Sequence, residues 1–171
     1  MNIAEIKKLD IANGTGIRTS VFVSGCRHNC PGCFNSIAQN FNYGSPFNEN
    51  ILTEIVDSVK NPIIQGISFL GGEPLDELNV AGVLEIVKAV KKEAPDKDIW
   101  LWTGYLLEDL LKRSEKDKNL LSILKSINIL VDGQFIENQK ELSLKFRGSK
   151  NQRVIDMVST LKNNSIILYD V

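Results

Sequence analysis

The sequence predicts an α/β fold in which βα units form a partial, open TIM-type barrel with a mostly parallel sheet. Short apolar runs alternate along the chain with segments whose apolar residues recur at helical spacing. The chain has 171 residues, whereas a complete eight-stranded βα barrel needs about 250 residues. We therefore expect residues 1–171 to form a single domain whose barrel is left open.

The apolar runs predict the strands. Residues 17–24 and 66–70 form the first two runs. Residues 99–102 read Ile-Trp-Leu-Trp, an uninterrupted apolar run that is typical of a strand buried on both faces. Residues 128–131 and 165–169 predict two further strands, the last one close to the C-terminus.

Helical stripes separate these runs. Apolar residues recur at intervals of three and four in four segments, namely 51–59, 80–90, 106–111 and 120–127. A last stripe runs from Val154 to Leu161 and predicts a final helix, which a capping box of Ser149 and Gln152 would open. Residues 142–146 are expected to be extended.

The composition, with 43% hydrophobic and 24% charged residues, is typical of a soluble globular protein. Twenty basic and 21 acidic residues leave a formal net charge of −1, which does not favour nucleic acid as a partner. No apolar run reaches the about 18 residues of a membrane-spanning helix. The N-terminus lacks the pattern of a secretory signal, so we expect a cytoplasmic protein with no membrane partner.

Residues suited to chemistry follow four predicted strands in turn. They are Cys26, the Gly71–Pro74 turn, the Thr103–Tyr105 turn and the pair Asp132-Gly133. In parallel α/β folds the C-terminal ends of the strands meet at one edge, where functional sites gather. We therefore expect these residues to lie close together.

The cysteine pattern indicates a metal site. Cys26, Cys30 and Cys33 are the only cysteines of the chain, they fall within eight residues, and His28 lies between them. An odd and clustered set argues against disulfides. A structural zinc with His28 as fourth ligand would need ligands at every second residue, whereas zinc sites generally use two separated pairs.

An iron–sulfur cluster fits the cysteines better than zinc or three buried core thiols. Four cysteines complete a [4Fe-4S] cluster, but the chain has three. One iron would therefore lack a protein ligand and be open to another molecule. A catalytic cluster needs such an open iron, whereas an electron-transfer ferredoxin does not.

The C-x3-C-x2-C spacing resembles the signature of the radical S-adenosylmethionine superfamily. In that superfamily S-adenosyl-L-methionine chelates the fourth iron, and one electron from the reduced cluster yields a 5′-deoxyadenosyl radical. The superfamily usually has an aromatic residue just before the third cysteine, but here Gly32 precedes it and Phe34 follows. The resemblance implies that Cys26, Cys30 and Cys33 bind the cluster and act through it.

The same resemblance implies contacts for S-adenosyl-L-methionine. The Gly71-Gly72-Glu73-Pro74 turn lies about forty residues after the cysteines and resembles the site of the cofactor's amino group, with Gly72 and Glu73 as contacts. Without the resemblance, an ordinary strand-to-helix turn is the simpler interpretation. The backbone of Gly32, Cys33 and Phe34 would face the adenine.

Each of several other residues near the C-terminal ends of the predicted strands has two possible roles. Thr103 and Asp132 either line the cofactor pocket or simply end their strands. His28 is expected to be an exposed loop residue that can tune the cluster or contact a partner. Arg147 and Arg153 flank Asn151 and Gln152 in a basic stretch, and either arginine can pair with the cofactor carboxylate or with a partner protein.

Longer stretches of the chain narrow the resemblance to one family. The matching stretches are Asp10–Gly14 with Arg18, Phe22–Cys26, Cys30–Asn35, Leu70–Leu75, Trp102–Tyr105, Val131–Gly133 and Arg147–Arg153. Together they resemble the activating proteins of anaerobic ribonucleoside-triphosphate reductases. The resemblance implies that a glycine of the large reductase subunit loses a hydrogen atom and becomes a glycyl radical. It also implies a flavodoxin-like electron donor.

Three alternatives remain at this point. The chain can be the activase of another glycyl radical enzyme, such as pyruvate formate-lyase. It can be a radical enzyme that acts on a small molecule without a protein partner. A member of a different class would be a zinc or iron–sulfur binding module without catalysis.

Overall fold

A seven-stranded mixed sheet forms the centre of the molecule in this computed structural model, which describes residues 1–170. The strands are β1 (Asn2–Asp10), β2 (Arg18–Val23), β3 (Ser45–Pro46), β4 (Gly66–Gly71), β5 (Asp98–Trp102), β6 (Ile129–Asp132) and β7 (Arg153–Asp156). Their order in the sheet is β3-β1-β2-β4-β5-β6-β7. The predicted α/β class is confirmed.

Five α-helices accompany the sheet. They are α1 (Glu49–Val59), α2 (Val80–Glu93), α3 (Leu107–Ser114), α4 (Lys118–Ser126) and α5 (Met157–Asn163), with 3-10 turns at Ser36–Gln39 and Glu137–Gln139. The four stripes predicted between residues 51 and 127 are therefore confirmed as helices. Side chains cap two of them, because Asn48 accepts the N–H of Ile51 and Asp117 accepts the N–H of Leu120. None of the helices described in residues 1–170 is long and apolar enough to cross a membrane.

The centre of the sheet is parallel. Strand β2 pairs with β4, β4 with β5, and β5 with β6, all in parallel register. The four predicted strands that end near residues 24, 70, 102 and 131 are thus confirmed. Their C-terminal ends form one edge of the sheet, here called the upper edge, and their N-terminal ends form the lower edge.

The flanks of the sheet correct the predicted topology. Strand β1 runs antiparallel to β2, and β7 runs antiparallel to β6. The sheet is therefore mixed and open, and the expected partial TIM-type barrel of βα units is not confirmed. The sequence did not predict β1, whose pairing has register shifts between Ile3 and Glu5 and between Lys7 and Asp10. These irregularities disturb the period of two that identifies a strand.

The segment before α5 is a second correction. A helix from Val154, opened by Ser149 and Gln152, was expected, but residues 153–156 form β7 instead. Helix α5 begins only at Met157, after Asp156, whose carboxylate accepts the N–H of Ser159 at 2.9 Å. The Gln152 side-chain oxygen accepts the N–H groups of residues 148 and 149, so it closes a local turn.

Two predictions of extended structure are also wrong. Residues 142–146 form turns and bends. Residues 165–169 do not form a strand, and Leu168 makes only an isolated bridge to Ile155. Both segments contain apolar residues, but neither is hydrogen-bonded into the sheet as a strand. Apolar residues alone therefore do not identify a strand.

The two faces of the sheet differ. The helices cover one face, where Val21, Ile67, Phe69 and Leu101 belong to the main apolar core. Alternate residues of the same strands point to the other face, where Trp100 packs with Trp102 and with Phe146. Loops rather than helices cover this second face, which we call the loop-covered face. Cavities remain beneath these loops.

Candidate functional site

The three cysteines lie on a short loop, residues 26–33, that follows β2 at the upper edge; we call it the cysteine loop. Its start is fixed by two hydrogen bonds, from Gly25 N–H to Ala38 O at 2.7 Å and from Cys26 N–H to Gln39 O at 3.1 Å. Gly25 has a φ of +97°, and a Cβ there would lie 2.1 Å from the ring of Phe41. Only glycine fits this entry to the loop.

The cysteine loop and three strand ends line one cavity of about 120 Å³. Most of the predicted site residues meet there: Cys26, Cys30, Cys33, Phe34, Gly72, Glu73 and Thr103. All three cysteines are free and half-buried. We call this space the cysteine cavity.

Three thiols with no disulfide partner are the donor set that an iron–sulfur cluster uses. Burial raises the pKa of Cys26 to about 11 and also raises the pKa of Cys30. Without metal the Cys26 and Cys30 thiols stay protonated at neutral pH, and ligation of iron must release their protons. The residues present therefore fit a cluster with three protein ligands.

The arrangement does not match a single metal ion. Within residues 1–170, no group of three or more His, Cys, Asp or Glu side chains is placed to hold one. A tetrahedral zinc needs its ligands to converge on one point. In a [4Fe-4S] cluster each cysteine binds a different iron, so the three thiols need not converge.

The glycine turn at the end of β4 packs directly on the start of the cysteine loop. Gly72 N–H donates to Val23 O at 2.7 Å, and Glu73 N–H donates to Gly25 O at 2.8 Å. A Cβ at Gly72 would lie 2.6 Å from Gly25 O, so the close approach requires glycine. Gly71, with a φ of +111°, supplies the turn.

Glu73 is a buried carboxylate, 1% exposed, that joins several parts of the site. One of its oxygens accepts the Leu75 N–H at 2.9 Å and the Thr103 hydroxyl at 2.8 Å. The other oxygen accepts the Gly104 N–H at 2.7 Å and contacts Nε2 of His28 at 2.9 Å. These four partners fill the lone-pair positions of the carboxylate and fix its orientation.

His28 is not the exposed loop residue that the sequence suggested. Its side chain is 10% exposed, and both ring nitrogens have partners. Nε2 faces Glu73, and Nδ1 lies 2.9 Å from the side-chain nitrogen of Gln134. The imidazole also packs against the Tyr105 ring, with centroids 4.5 Å apart.

Asp132 lies at the upper edge, but its side chain has other partners. One carboxylate oxygen accepts the Leu107 N–H at 2.9 Å, and both oxygens accept hydrogen bonds from Arg153. Arg153 also pairs with Glu108, and this bonding lowers the pKa of Glu108 to about 2. Neither Asp132 nor Arg153 lines the cysteine cavity. The residue of this strand end that does line it is Gly133.

A second cavity of about 390 Å³ opens next to the first on the loop-covered face. The two cavities share Phe34, Leu70, Trp102, Phe135 and Gln152. At its margin Phe34 is 84% exposed and Leu142 is 91% exposed. We call this space the groove, and it leads from the surface to the cysteines.

Sequence reasoning missed most residues of the groove. Trp102 was placed in a strand, yet its alternation with Leu101 would have assigned it to the face opposite the helices. Phe135 and Leu142 belong to no sequence motif that would indicate a functional site. Arg147, which the sequence did single out, lines the groove and donates to Gln152 O at 2.6 Å.

Comparison with known proteins points in the same direction as this geometry. Residues 12–155 match the model of a family described as a 4Fe-4S single cluster domain. The match covers more than half of the chain and contains the cysteine loop, the glycine turn, strands β2 to β6 and most of β7.

Several relatives carry the same name, anaerobic ribonucleoside-triphosphate reductase-activating protein. The protein of Escherichia coli K12 is 42% identical over 156 residues, which are 90% of this chain and 97% of the relative. That of Haemophilus influenzae is 43% identical over 154 residues, or 89% and 96% of the two chains. The enterobacteria phage T4 protein is 38% identical over 154 residues, or 90% and 93%.

Proposed function

Because this chain belongs to the 4Fe-4S single cluster domain family and to the anaerobic ribonucleoside-triphosphate reductase-activating proteins, we propose that it is a radical S-adenosylmethionine activase. Its substrate is a glycine residue of the large subunit of the anaerobic reductase. The observation that carries the proposal is the cysteine cavity, where three free thiols lie beside a glycine turn and a buried carboxylate. No fourth cysteine exists in the chain.

The cofactors would be one [4Fe-4S] cluster, held by Cys26, Cys30 and Cys33, and S-adenosyl-L-methionine. Together with one electron from a flavodoxin-like donor, they would supply a 5′-deoxyadenosyl radical and methionine. Transfer of one hydrogen atom from the glycine Cα to this radical would leave 5′-deoxyadenosine and a glycyl radical. The protein itself contributes binding, orientation and exclusion of water.

The glycine turn is suited to the amino end of the cofactor. Gly71 and Gly72 carry no side chains, so they contribute only backbone atoms to the wall of the cysteine cavity. Glu73 lends negative charge to the same point, and Thr103 holds its carboxylate from the neighbouring strand. Because four donors already occupy the Glu73 oxygens, we assign the negative charge of Glu73, together with the backbone of Gly72, to the amino group. We assign the backbone of Gly32, Cys33 and Phe34 to the adenine.

The groove is suited to a protein substrate. It runs along the loop-covered face from exposed Phe34 and Leu142 to the cysteine cavity. A segment of another protein can enter from the open side of the sheet, whereas a closed barrel would exclude it. We propose that the activase works on its reductase in the cytoplasm.

Cleavage of S-adenosyl-L-methionine tests the chemistry. The chain, reconstituted with iron and sulfide under anaerobic conditions and then reduced, should release 5′-deoxyadenosine and methionine. Cys30→Ala should abolish the release, because a protein ligand of the cluster is lost. Asn29→Gly is the matched control, since Asn29 lies in the same loop, is exposed and has a φ of +50° that glycine adopts readily.

The control should retain cleavage, and the wild-type chain should hold about four irons. Unimpaired cleavage by Cys30→Ala would contradict the proposal. So would a wild-type chain that holds one zinc and no iron, which would favour the non-catalytic binding module.

A further inference from the structure

The His28 side chain is almost buried beside the proposed site. It is assigned neither to the cluster nor to S-adenosyl-L-methionine. It is the only histidine of the chain and lies between Cys26 and Cys30. We propose that His28 is a positioning residue: it couples the order of the cysteine loop to the orientation of the Glu73 carboxylate, and thereby to binding of S-adenosyl-L-methionine. This inference rests on the proposed function, because the assignment of Glu73 to the cofactor comes from there.

The imidazole of His28 accepts a hydrogen bond on one side and donates one on the other. An ionised carboxylate can only accept, so Nε2 of His28 donates to Glu73. The side-chain amide nitrogen of Gln134 can only donate, so Nδ1 accepts from it. The hydrogen bonds therefore run from Gln134 through His28 to Glu73, and this arrangement requires a proton on Nε2.

The space for the ring is made by a glycine. A Cβ on Gly104 would lie 2.5 Å from Cδ2 and 2.6 Å from Nε2 of His28. The N–H of Gly104 donates to the same oxygen of Glu73 that His28 contacts. Tyr105 closes another side with an edge-to-face contact. Residue 104 is thus glycine because the imidazole needs that volume.

Within residues 1–170, His28 makes the one hydrogen bond to the Glu73 carboxylate that comes from the cysteine loop. The other partners of the carboxylate are Leu75, in its own turn, and Thr103 and Gly104, at the end of β5. Without His28 the carboxylate would keep these partners but lose its tie to the loop. One lone-pair position would then be free, and no side chain of the cysteine loop would hold the carboxylate in place.

On its other side the ring reaches a third element. Gln134 lies in the loop after β6, and its backbone oxygen accepts the side-chain amide of Asn151 at 2.8 Å. Gln152 reinforces this link, because its side-chain nitrogen donates to Gly133 O at 2.9 Å. His28 therefore joins the cysteine loop both to the glycine turn and to the loop that borders the groove. Its loss should affect the cofactor site more than the cysteines themselves.

The central experiment compares His28→Ala, His28→Gln and the control Asn29→Gly, each as the full chain reconstituted with its cluster. Affinity for S-adenosyl-L-methionine is measured by calorimetry, and the spectrum of the reduced cluster is recorded with and without the cofactor. Iron content and melting temperature are measured for every variant. Kinetics of 5′-deoxyadenosine release separate KM from kcat.

We expect His28→Ala to keep its iron and to bind S-adenosyl-L-methionine about 10- to 100-fold more weakly, as when an outer-shell partner of a metal ligand is lost. KM should rise by more than kcat falls. A glutamine side chain can both donate to Glu73 and accept from Gln134, so His28→Gln should recover most of the affinity. Asn29→Gly should behave as the wild-type chain.

A second variant keeps the inference testable if His28→Ala is unstable. Gly104→Ala should also weaken cofactor binding, because the added methyl displaces the imidazole. Combined with His28→Ala, it should add almost no further loss, since the ring it collides with is gone. Independent, additive losses in the double variant would overturn the inference.

The proton position gives a readout that does not depend on activity. Because the chain has one histidine, its nitrogen resonances in the full-length protein are unambiguous, and they should show the proton on Nε2. A proton on Nδ1 would overturn the proposed chain of hydrogen bonds.

The outcomes separate this inference from the proposed function. A wild-type chain that binds and cleaves S-adenosyl-L-methionine, with an affinity unchanged in His28→Ala, overturns the inference alone. A wild-type chain with iron that does not bind S-adenosyl-L-methionine overturns the proposed function.

Discussion

The two ends of the same parallel strands carry two different buried polar networks. At the lower edge, Arg18 is fully buried and donates to Ser68 Oγ at 2.7 Å, to the backbone oxygens of Thr15 and Ile67 at 3.0 Å, and to Asp98. At the upper edge, the central group is Glu73, which four donors surround beside an open cavity.

The two networks differ in their surroundings, because one is enclosed by protein and the other borders a cavity. The Arg18 guanidinium is enclosed between strand residues, the loop before β2 and the ring of Trp100, at 5.3 Å from the ring centroid. The Glu73 network borders a space that holds three thiols. Parallel α/β folds generally place stability at the first edge and chemistry at the second. Changes at the lower edge should therefore alter folding, and changes at the upper edge should alter function.

Removal of the Arg18 side chain should have the largest effect on stability. Arg18→Ala leaves Asp98 and Ser68 without their partner and should lower the free energy of unfolding by about 3–5 kcal/mol. The melting temperature would fall by roughly 10 °C. Thermal unfolding followed by circular dichroism measures this change.

The control for Arg18→Ala is Lys8→Ala, which breaks the exposed ion pair with Glu54. Its cost should be below about 1 kcal/mol. Equal melting temperatures for the Arg18 and Lys8 variants would contradict the stabilising role of the lower network.

A pair of buried hydroxyls sharpens the comparison, because each network contains one. Ser68 accepts from Arg18 and donates to Asn13 O at 2.6 Å, whereas Thr103 donates to Glu73. Ser68→Ala should lower the free energy of unfolding by about 1–3 kcal/mol, the cost of unpaired buried groups, while kcat/KM stays unchanged. Thr103→Val should lower kcat/KM for cleavage of S-adenosyl-L-methionine about tenfold or more.

Kinetics and unfolding measured on the same two samples check this prediction. If both variants lost stability alone, or both lost activity alone, the division of roles between the two edges would be wrong.

The smallest expected effect lies outside both networks, at Glu108. Its bonding to Arg153 lowers its pKa from 4.5 to about 2, so the pair stabilises the fold above about pH 4.5 and loses this effect as the pH falls towards 2. Because the Glu108 side chain is half exposed, the contribution should be below about 1 kcal/mol.

The free energies of unfolding of the wild-type chain and of Glu108→Gln should therefore differ slightly at pH 7. This difference should be smaller at pH 3. An equal difference at both pH values would show that the charge of Glu108 is not responsible.

The sequence predicted the parallel centre well, for a physical reason. Strands buried on both faces read as continuous apolar runs, as in Ile99–Trp102, and the intervening helices have a clear apolar stripe. Since parallel strands end at one edge, the sequence also predicted that the cysteines, Glu73 and Thr103 meet. The cysteine cavity brings these residues together.

The flanking strands and the histidine were harder for equally physical reasons. Strand β1 carries irregular pairing, and Val154 and Met157 mimic helical spacing although a strand ends between them at Asp156. The partners of His28 lie 45 and 106 residues away along the chain. Local patterns contain no information about such contacts, so a histidine between cysteines was interpreted as exposed.

One measurement tests the central claim most directly. The reconstituted chain, a reductant and S-adenosyl-L-methionine are combined anaerobically with the anaerobic ribonucleoside-triphosphate reductase or, in a parallel sample, with pyruvate formate-lyase. Electron paramagnetic resonance then records whether a glycyl radical forms. We predict the radical signal with the reductase and none in a sample with Cys30→Ala. Its absence with the reductase, despite a fully loaded cluster, or its appearance only with pyruvate formate-lyase, would contradict the assigned substrate.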